Sequence, residues 1–211
     1  MPYPKFNSLD VVWDLPDNCQ EWDHVETTLY RLENHLVSLR FAGKFVFFVT
    51  CEANKLEVEA HVPIVVYQIK DKAHQIPSYT NNAFVIFKNY VPFHSCPDNV
   101  YSVPLGCNKN IVGLDVQLMA DRNIDLFFVG SEDNRKDFFT WARKEYLLGF
   151  KAQNILIERS VEIQYNVYAH NIAQTKIALC PGGISCDTYR IYEAMRAGCV
   201  VIVPRQAPAW Y

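Results

Sequence analysis

The chain has 211 residues, a length that suits one large domain or two smaller ones. Its residues are 50% hydrophobic and 20% charged, which is the composition of a protein that buries a core. The net charge of −3 and the lack of a lysine- and arginine-rich cluster argue against nucleic acid as a partner.

Targeting and membrane signals are weak in this sequence. Residues 1–16 lack the charged start and apolar run of a signal peptide, and no apolar segment is long enough to span a membrane. We therefore predict a cytoplasmic protein without a transmembrane segment, which is compatible with peripheral association with a membrane.

The seven cysteines follow no regular spacing and include no CxxC pair. We expect reduced, mostly buried thiols rather than disulfides. Cys180, Cys186 and Cys199 come close together in the sequence, but two of them lie at predicted strand positions, which argues against a zinc site.

The first half of the chain mixes helical and extended patterns. Apolar residues at helical spacing predict a helix between residues 21 and 39. Apolar runs predict three strands, over residues 44–50, 63–69 and 83–91. Prolines and a glycine mark residues 92–110 as a connection between domains. We predict an N-terminal α/β domain over residues 1–104.

Strand and helix patterns alternate strictly in the second half. Strands are predicted over residues 124–130, 154–158, 176–180 and 199–203, and helices over residues 133–150, 161–174 and 187–197. Near-continuous apolar strands in this order are typical of a parallel sheet with helices on both faces. We predict a Rossmann-like C-terminal domain over residues 105–211.

Two loops follow strands of this domain at positions where open parallel sheets bind ligands. The first contains Gly130 and Ser131 and leads to Arg135, and the second contains Gly182, Gly183 and Ser185. Glycines allow the backbone to approach a ligand closely. The N–H groups at a helix start favour an anion such as a diphosphate.

The predicted helix over residues 187–197 has two distinct faces. Ile191, Ala194, Met195 and Gly198 form one stripe, which we expect to lie against the sheet. Arg190 and Glu193 lie on the opposite side. There a guanidinium can bind phosphate oxygens, and a carboxylate can accept hydrogen bonds from vicinal sugar hydroxyls. The alternative is a solvated surface pair, worth about 0.2–0.5 kcal/mol.

The ends of this helix also carry signals. Ser185, Asp187 or Thr188 can cap its start. Gly198 stands where a glycine is expected to end a helix.

The run CPGGISCDTYRIYEAMRAGCVVIVP, residues 180–204, resembles the donor-binding segment of exostosin-like glycosyltransferases and related GT-B enzymes. In both, a strand runs into a Pro-Gly loop, a helix with arginine and glutamate follows, and an AGC sequence leads into an apolar strand. Residues 100–110 resemble the interdomain linker of these enzymes, and residues 124–138 resemble the first strand, loop and helix of their C-terminal domain.

This resemblance implies two Rossmann-like domains of GT-B type, with a carbohydrate acceptor bound by the N-terminal one and a nucleotide-sugar by the C-terminal one. Glu193 would bind ribose or sugar hydroxyls, and Ser185 would line the same pocket. Arg190, Arg135 and the Gly182–Gly183 backbone would face the diphosphate, next to Gly130 and Ser131. It further implies a glycosyltransferase of polysaccharide or glycan synthesis that needs no metal or other cofactor and stabilises the leaving diphosphate electrostatically.

The sequence departs from the family pattern in two places. Ser185 stands where many retaining GT-B enzymes carry a second glutamate, which favours the exostosin-like type, whose reaction is often inverting. The chain ends at Tyr211, soon after the last predicted strand, so we expect an incomplete C-terminal domain.

An inverting transferase needs a general base. Six side chains of the first hundred residues are candidates and no motif selects among them: Asp14, Asp23, His24, Glu52, His61 and His94. Two other functions stay open, a nucleotide-sugar epimerase of the same fold and a degenerate transferase domain that only binds its ligand.

Overall fold

The computed structural model describes residues 3–16, 19, 22–69, 74–91, 96–107, 111, 114–131, 135–138, 140, 155–159, 164–183 and 187–203. The chain divides into two compact units, Met1–Pro104 and Leu105–Ala207. Within the described residues the first unit contains a five-stranded sheet and the second a four-stranded sheet. Every strand pair in both sheets is parallel. The predicted α/β class with parallel sheets is therefore confirmed.

The first sheet has its strands side by side in chain order. They are β1 (Asp10–Asp14), β2 (Val46–Thr50), β3 (Ile64–Gln68), β4 (Val85–Lys88) and β5 (Val100–Ser102), and α1 covers Trp22–Ser38. The sequence predicted α1, β2, β3 and β4. It missed β1, and it missed β5 because that strand lies in the proline-rich stretch interpreted as a connection.

Alternation along the strands supplies a core on each face of this sheet. On one face, Val25 and Leu29 of α1 pack with Phe47 and Val65. The other face is built around a cluster of buried residues from the strands and from the segment before β4: Phe48, Val66, Ile86, Val100, Tyr79 and Ala83. The unit therefore has a helix-covered face and a loop-covered face.

The second sheet contains β6 (Ile124–Gly130), β7 (Ile155–Arg159), β8 (Thr175–Leu179) and β9 (Val200–Ile202). The helices α2 (Tyr165–Ala173) and α3 (Tyr189–Arg196) belong to the same unit. All six elements lie within about four residues of their predicted ends. Of the helix predicted over residues 133–150, residues 136–138 and 140 are helical and the others lie outside the described residues.

The strand order of this sheet is β7-β6-β8-β9. The chain passes from β6 to β7 on one side and then returns to place β8 on the other side of β6. At such a reversal the loops after the two central strands separate, which opens a crevice at their carboxyl ends. The order is compatible with the predicted Rossmann-like fold, and it places the crevice between the ends of β6 and β8.

The helices α2 and α3 lie on one face of this sheet. Tyr168 and Ile172 of α2 and Ile191 and Ala194 of α3 pack with Phe127 and its neighbours. On the opposite face, Phe128 packs edge to face with Phe138, and their ring centroids lie 4.9 Å apart. No helix within the described residues is long and apolar enough to cross a membrane.

A buried arginine that the sequence did not single out ties this unit together. Arg122 is 4% exposed, and its guanidinium donates to the carbonyl oxygens of Thr175 at 2.6 Å, Ala197 at 2.9 Å and Gly198 at 3.1 Å. It also donates to the carbonyl of Gln117. The start of β8 and the end of α3 are thus joined through one side chain.

We expect Arg122→Met to lower the free energy of unfolding of the second unit by on the order of 3 kcal/mol, because several buried carbonyls lose their donor. Urea denaturation followed by circular dichroism measures the change. Arg196→Met, at an exposed position of α3, is the matched control and should change stability by less than about 0.5 kcal/mol. Equal effects of the two substitutions would contradict this role of Arg122.

The cysteines agree in part with the sequence prediction. The six within the described residues carry thiols rather than disulfides, but only Cys19 and Cys180 are buried. Burial raises the pKa of the Cys180 thiol to about 12, although the nearby Arg190 charge lowers it. Burial likewise raises the pKa of Cys199 to about 11.

Alkylation should therefore discriminate sharply between these thiols. Iodoacetamide reacts with the thiolate, and a pKa raised to about 12 leaves Cys180 protonated throughout the range from pH 7 to about pH 10. In the native protein we expect the exposed Cys96 to be labelled first and Cys180 to stay unmodified, as measured by peptide mass spectrometry. In urea the two should react alike, and equal native rates would refute the burial argument.

Candidate functional site

A cleft of about 370 Å³ lies at the carboxyl ends of β6 and β8 in the second unit. It is lined by Val129, Gly130, Ser131, Arg135, Tyr165, Tyr168, Thr188, Tyr189, Arg190 and Glu193. Five of these were predicted from the sequence as donor-binding residues. Gly182 and Gly183 lie in the loop after β8. Ser185 lies outside the described residues.

A larger groove of about 650 Å³ runs along α2. It is lined by Leu114, Asp115, Gln117, Tyr165, Asn166, Ala169, His170, Ala173 and Gln174. This lining contains no lysine or arginine and shares only Tyr165 with the smaller cleft. Of these two sites, the smaller cleft has the chemistry of an anion site.

Arg190, in the first turn of α3, reaches across to the end of β6. Its Nη2 donates to the Val129 carbonyl at 2.7 Å, and its Cζ lies 4.7 Å from the centre of the Phe128 ring. A Cβ on Gly130 would lie 2.8 Å from that Nη2. A side chain at position 130 would therefore require the guanidinium of Arg190 to move.

Arg135 approaches the same ring from the loop after β6. Its Nη1 donates to the Ser131 carbonyl at 3.0 Å, and its Cζ lies 5.9 Å from the centre of the Phe128 ring. A Cβ on Gly183 would lie 2.7 Å from its Nη2. The loop after β8 therefore comes within contact distance of this guanidinium because residue 183 has no side chain.

The two guanidinium groups form a concentrated positive charge. Neither makes an ion pair with a carboxylate among the described residues. Their Nε atoms are buried and find no hydrogen-bond acceptor in that part of the chain. Burial, and then the charge of Arg190, lower the pKa of Arg135 below its usual range. Buried donors without acceptors and neighbouring like charges without an ion-pair partner are the features expected of an anion site.

The start of α3 adds to this positive potential. Thr188 is its N-cap residue, with extended backbone angles, but its side chain makes no capping hydrogen bond. Its buried Oγ1 has no hydrogen-bond partner among the described residues. The position of the predicted cap is therefore right at Thr188, while the expected hydroxyl bond is not made. The positive end of the α3 dipole lies at this cleft and adds to the attraction for an anion.

Glu193 is buried, at 7% exposure. The Tyr165 hydroxyl donates to its Oε1 at 3.0 Å, and the Tyr168 hydroxyl donates to its Oε2 at 2.8 Å. The alternative of a solvated Arg190–Glu193 surface pair is therefore wrong. Burial, and then the Glu193 charge, raise the pKa of both tyrosines, which keeps the phenols protonated as donors.

The predicted inner stripe of α3 is partly wrong. Ile191 and Ala194 are buried, but Met195 is 61% exposed and Gly198 is exposed as well. Because α2 lies beside α3, the buried arc is turned toward Glu193 and away from Met195. Gly198 ends the helix as predicted, with a φ of +71°.

Sequence reasoning missed Tyr165 and Tyr168. They are three residues apart, so they lie on one face of α2, and that spacing was the available signal. The sequence does not reveal that this face meets α3.

The candidate general bases are distributed unevenly. Asp14 ends β1, where its Oδ2 accepts from Thr50 Oγ1 at 2.8 Å, and Glu52 follows the end of β2. His61 precedes β3 and thus lies at the opposite edge of that sheet. The side chains of Asp23, His24 and His94 lie outside the described residues. Ligands bind at the carboxyl edge of parallel sheets, which favours Asp14 and Glu52 over His61.

No three or more His, Cys, Asp or Glu side chains come together as a metal-binding group in the part of the chain that the structure describes.

Residues 132–208 match the family model described as the RXYLT1 C-terminal domain, from an exostosin-like xylosyltransferase family. The match covers less than half of the chain and includes α2, α3 and the loop before α3. No curated protein and no solved structure matches the chain at a significant level. The match supports a glycosyltransferase-related family, so the predicted relation is confirmed at that level.

We expect Gly183→Ala to weaken the binding of pyrophosphate by about tenfold, because the new methyl group displaces Arg135 and costs a charge-assisted hydrogen bond. The loop N–H groups and the fold stay intact, since the atom that must move is the end of a flexible side chain. Isothermal titration calorimetry measures the dissociation constant. In an Arg135→Ala background the same substitution should have little further effect, and additive losses would argue against displacement as the cause.

Proposed function

We propose that this chain carries the donor site of a glycosyltransferase, which moves a sugar from a nucleotide-sugar to a carbohydrate acceptor. The observation that carries the proposal is the pair Arg135 and Arg190, two partly buried guanidinium groups in one cleft with no carboxylate partner among the described residues. Such a pair favours a ligand with more than one negative charge. A diphosphate meets that requirement.

Departure of the nucleoside diphosphate builds up negative charge on the bridging oxygen as the bond to the sugar breaks. Guanidinium groups that are already in position stabilise this charge without reorganisation. In this proposal Arg135, Arg190 and the dipole at the start of α3 supply that stabilisation, and no metal ion is required. Val129 and Ser131 hold the two arginines in place through their carbonyls.

Glu193 supplies the second binding element. Each of its carboxylate oxygens accepts one phenol hydrogen bond, and a carboxylate has about four acceptor sites in all. The remaining sites suit hydroxyl groups of a ribose or of the donor sugar. A nucleotide-sugar carries both the diphosphate and the hydroxyls.

The wider assignments belong to the same proposal. The two units would form a GT-B arrangement, in which the first unit binds the acceptor and supplies the base from Asp14 or Glu52. The reaction would serve polysaccharide or glycan synthesis in the cytoplasm. The relation of residues 132–208 to a xylosyltransferase family supports this reaction class.

We expect the folded protein to bind at least one of UDP, GDP, CDP and ADP. Arg190→Ala should weaken that binding by about tenfold or more, because it removes charge-assisted hydrogen bonds to the diphosphate. Calorimetry measures the loss, and Arg196→Ala, at an exposed position of the same helix, should leave the dissociation constant within about twofold.

Failure of every nucleotide to bind the folded wild type would refute a donor site. Product analysis then separates the remaining functions. Transfer or donor hydrolysis identifies a transferase, isomerisation of the donor without an acceptor identifies an epimerase, and binding without turnover identifies a degenerate domain.

A further inference from the structure

Two phenols hold the carboxylate of Glu193 from α2. The hydroxyl of Tyr165 lies 3.0 Å from Oε1 and that of Tyr168 lies 2.8 Å from Oε2. Each phenol thus bonds a different oxygen, so the pair fixes the plane of the carboxylate as well as its position. Both tyrosines also line the cleft.

Packing of the two rings does not require these hydroxyls. The ring centroids of Tyr168 and Phe127 lie 5.7 Å apart, and those of Tyr165 and Tyr168 lie 5.9 Å apart. Phenylalanine would fill the same space with the same contacts. The hydroxyls therefore need a reason other than core packing.

Glu193 is the acceptor in both hydrogen bonds. A phenol has a single proton, and each of these protons is used on Glu193. Each carboxylate oxygen accepts one phenol hydrogen bond and can accept a further one from a ligand. A partner that matches them must donate two hydrogen bonds from neighbouring atoms, as a vicinal diol does.

We infer that Tyr165 and Tyr168 are positioning residues that orient the Glu193 carboxylate to accept hydrogen bonds from a vicinal diol of the nucleotide-sugar. The inference rests on the proposed function. A glutamate side chain has several rotamers, and the phenols restrict it during folding rather than during binding. Such preorganisation lowers the entropic cost of binding.

The protonation of the phenols is consistent with this role. Burial is the main cause that raises the pKa of Tyr165 and of Tyr168, and the Glu193 charge raises it further. Both groups therefore stay protonated donors at neutral pH and well above it. The two phenol donors therefore persist over the pH range of an ordinary binding experiment.

The experiment compares two ratios of dissociation constants in the full chain. The first ratio is the dissociation constant of a 2′,3′-dideoxynucleoside diphosphate divided by that of the matching nucleoside diphosphate. The base is that of the nucleotide that binds wild type most tightly among UDP, GDP, CDP and ADP. The second ratio is the dissociation constant of the nucleoside diphosphate divided by that of its glucose conjugate. The first ratio reports a ribose diol and the second a diol of the donor sugar. Pyrophosphate is the probe without hydroxyls.

Glu193→Gln should lower one of the two ratios, which identifies the diol. Tyr165→Phe and Tyr168→Phe should each lower that same ratio by about threefold to tenfold, the usual effect of one hydrogen bond. The dissociation constant of pyrophosphate should stay within about twofold, because the arginines are untouched. Tyr192→Phe is the matched control, since its hydroxyl donates to Asp187 at 2.7 Å instead, and it should keep both ratios at their wild-type values.

Each other outcome overturns the inference. Tyrosine variants that keep the ratio lost in Glu193→Gln show that the phenols do not position the carboxylate. Equal weakening of pyrophosphate and nucleotides shows a purely structural role. Unchanged ratios in Glu193→Gln show that Glu193 binds no diol, although nucleotide binding itself would still support the donor site. A wild type that binds no nucleotide refutes the proposed function, and the inference fails with it.

Discussion

Repulsion between two like charges is the constraint on which the rest of the cleft depends. Arg135 and Arg190 both lie against the ring of Phe128, and the proximity of Arg190 contributes to the lowered pKa of Arg135. The aromatic face and two backbone carbonyls offset part of this cost, since a ring attracts cations and carbonyls accept their protons. An anion converts the remaining repulsion into attraction. A site of this kind therefore gains affinity from the relief of an unfavourable arrangement as well as from new hydrogen bonds.

Backbone geometry makes that arrangement possible. β6 and β8 are neighbours in the sheet although β7 lies between them in the chain, so the chain segments that follow these two strands and carry Arg135 and Arg190 begin side by side. Gly130 ends one strand, and Gly183 lies in the loop after the other, each within contact distance of a guanidinium. The strand order thus brings the two segments together, and the two glycines leave room for the guanidinium groups. A larger residue at either glycine would require a guanidinium to move.

The sequence predicted most of this frame, and its failures have physical reasons. Apolar runs such as that of β6 identify buried strands directly, so the sheet of the second unit followed from hydrophobic pattern alone. The burial of Glu193 did not follow, because helical spacing groups Arg190 with Glu193 but does not show which outer face another helix covers. Met195 was predicted to be buried for the same reason, because the sequence does not show which face of α3 is covered. Arg122 was missed because an isolated arginine in a loop has the same sequence pattern as a surface residue, and only the fold brings four carbonyls around it.

Arg190 and Glu193 are three residues apart on α3, a spacing at which opposite charges ordinarily pair. No ion pair joins them among the described residues. Arg190 is directed to Val129, and Glu193 is held by two phenols of α2. The structure thus keeps a cation and a carboxylate, whose backbone positions are about 4.5 Å apart along the helix axis, from forming an ion pair. A free phosphate would satisfy only the first and a simple carbohydrate only the second. A molecule that satisfies both carries negative charge and neighbouring hydroxyls, as the proposed nucleotide-sugar does.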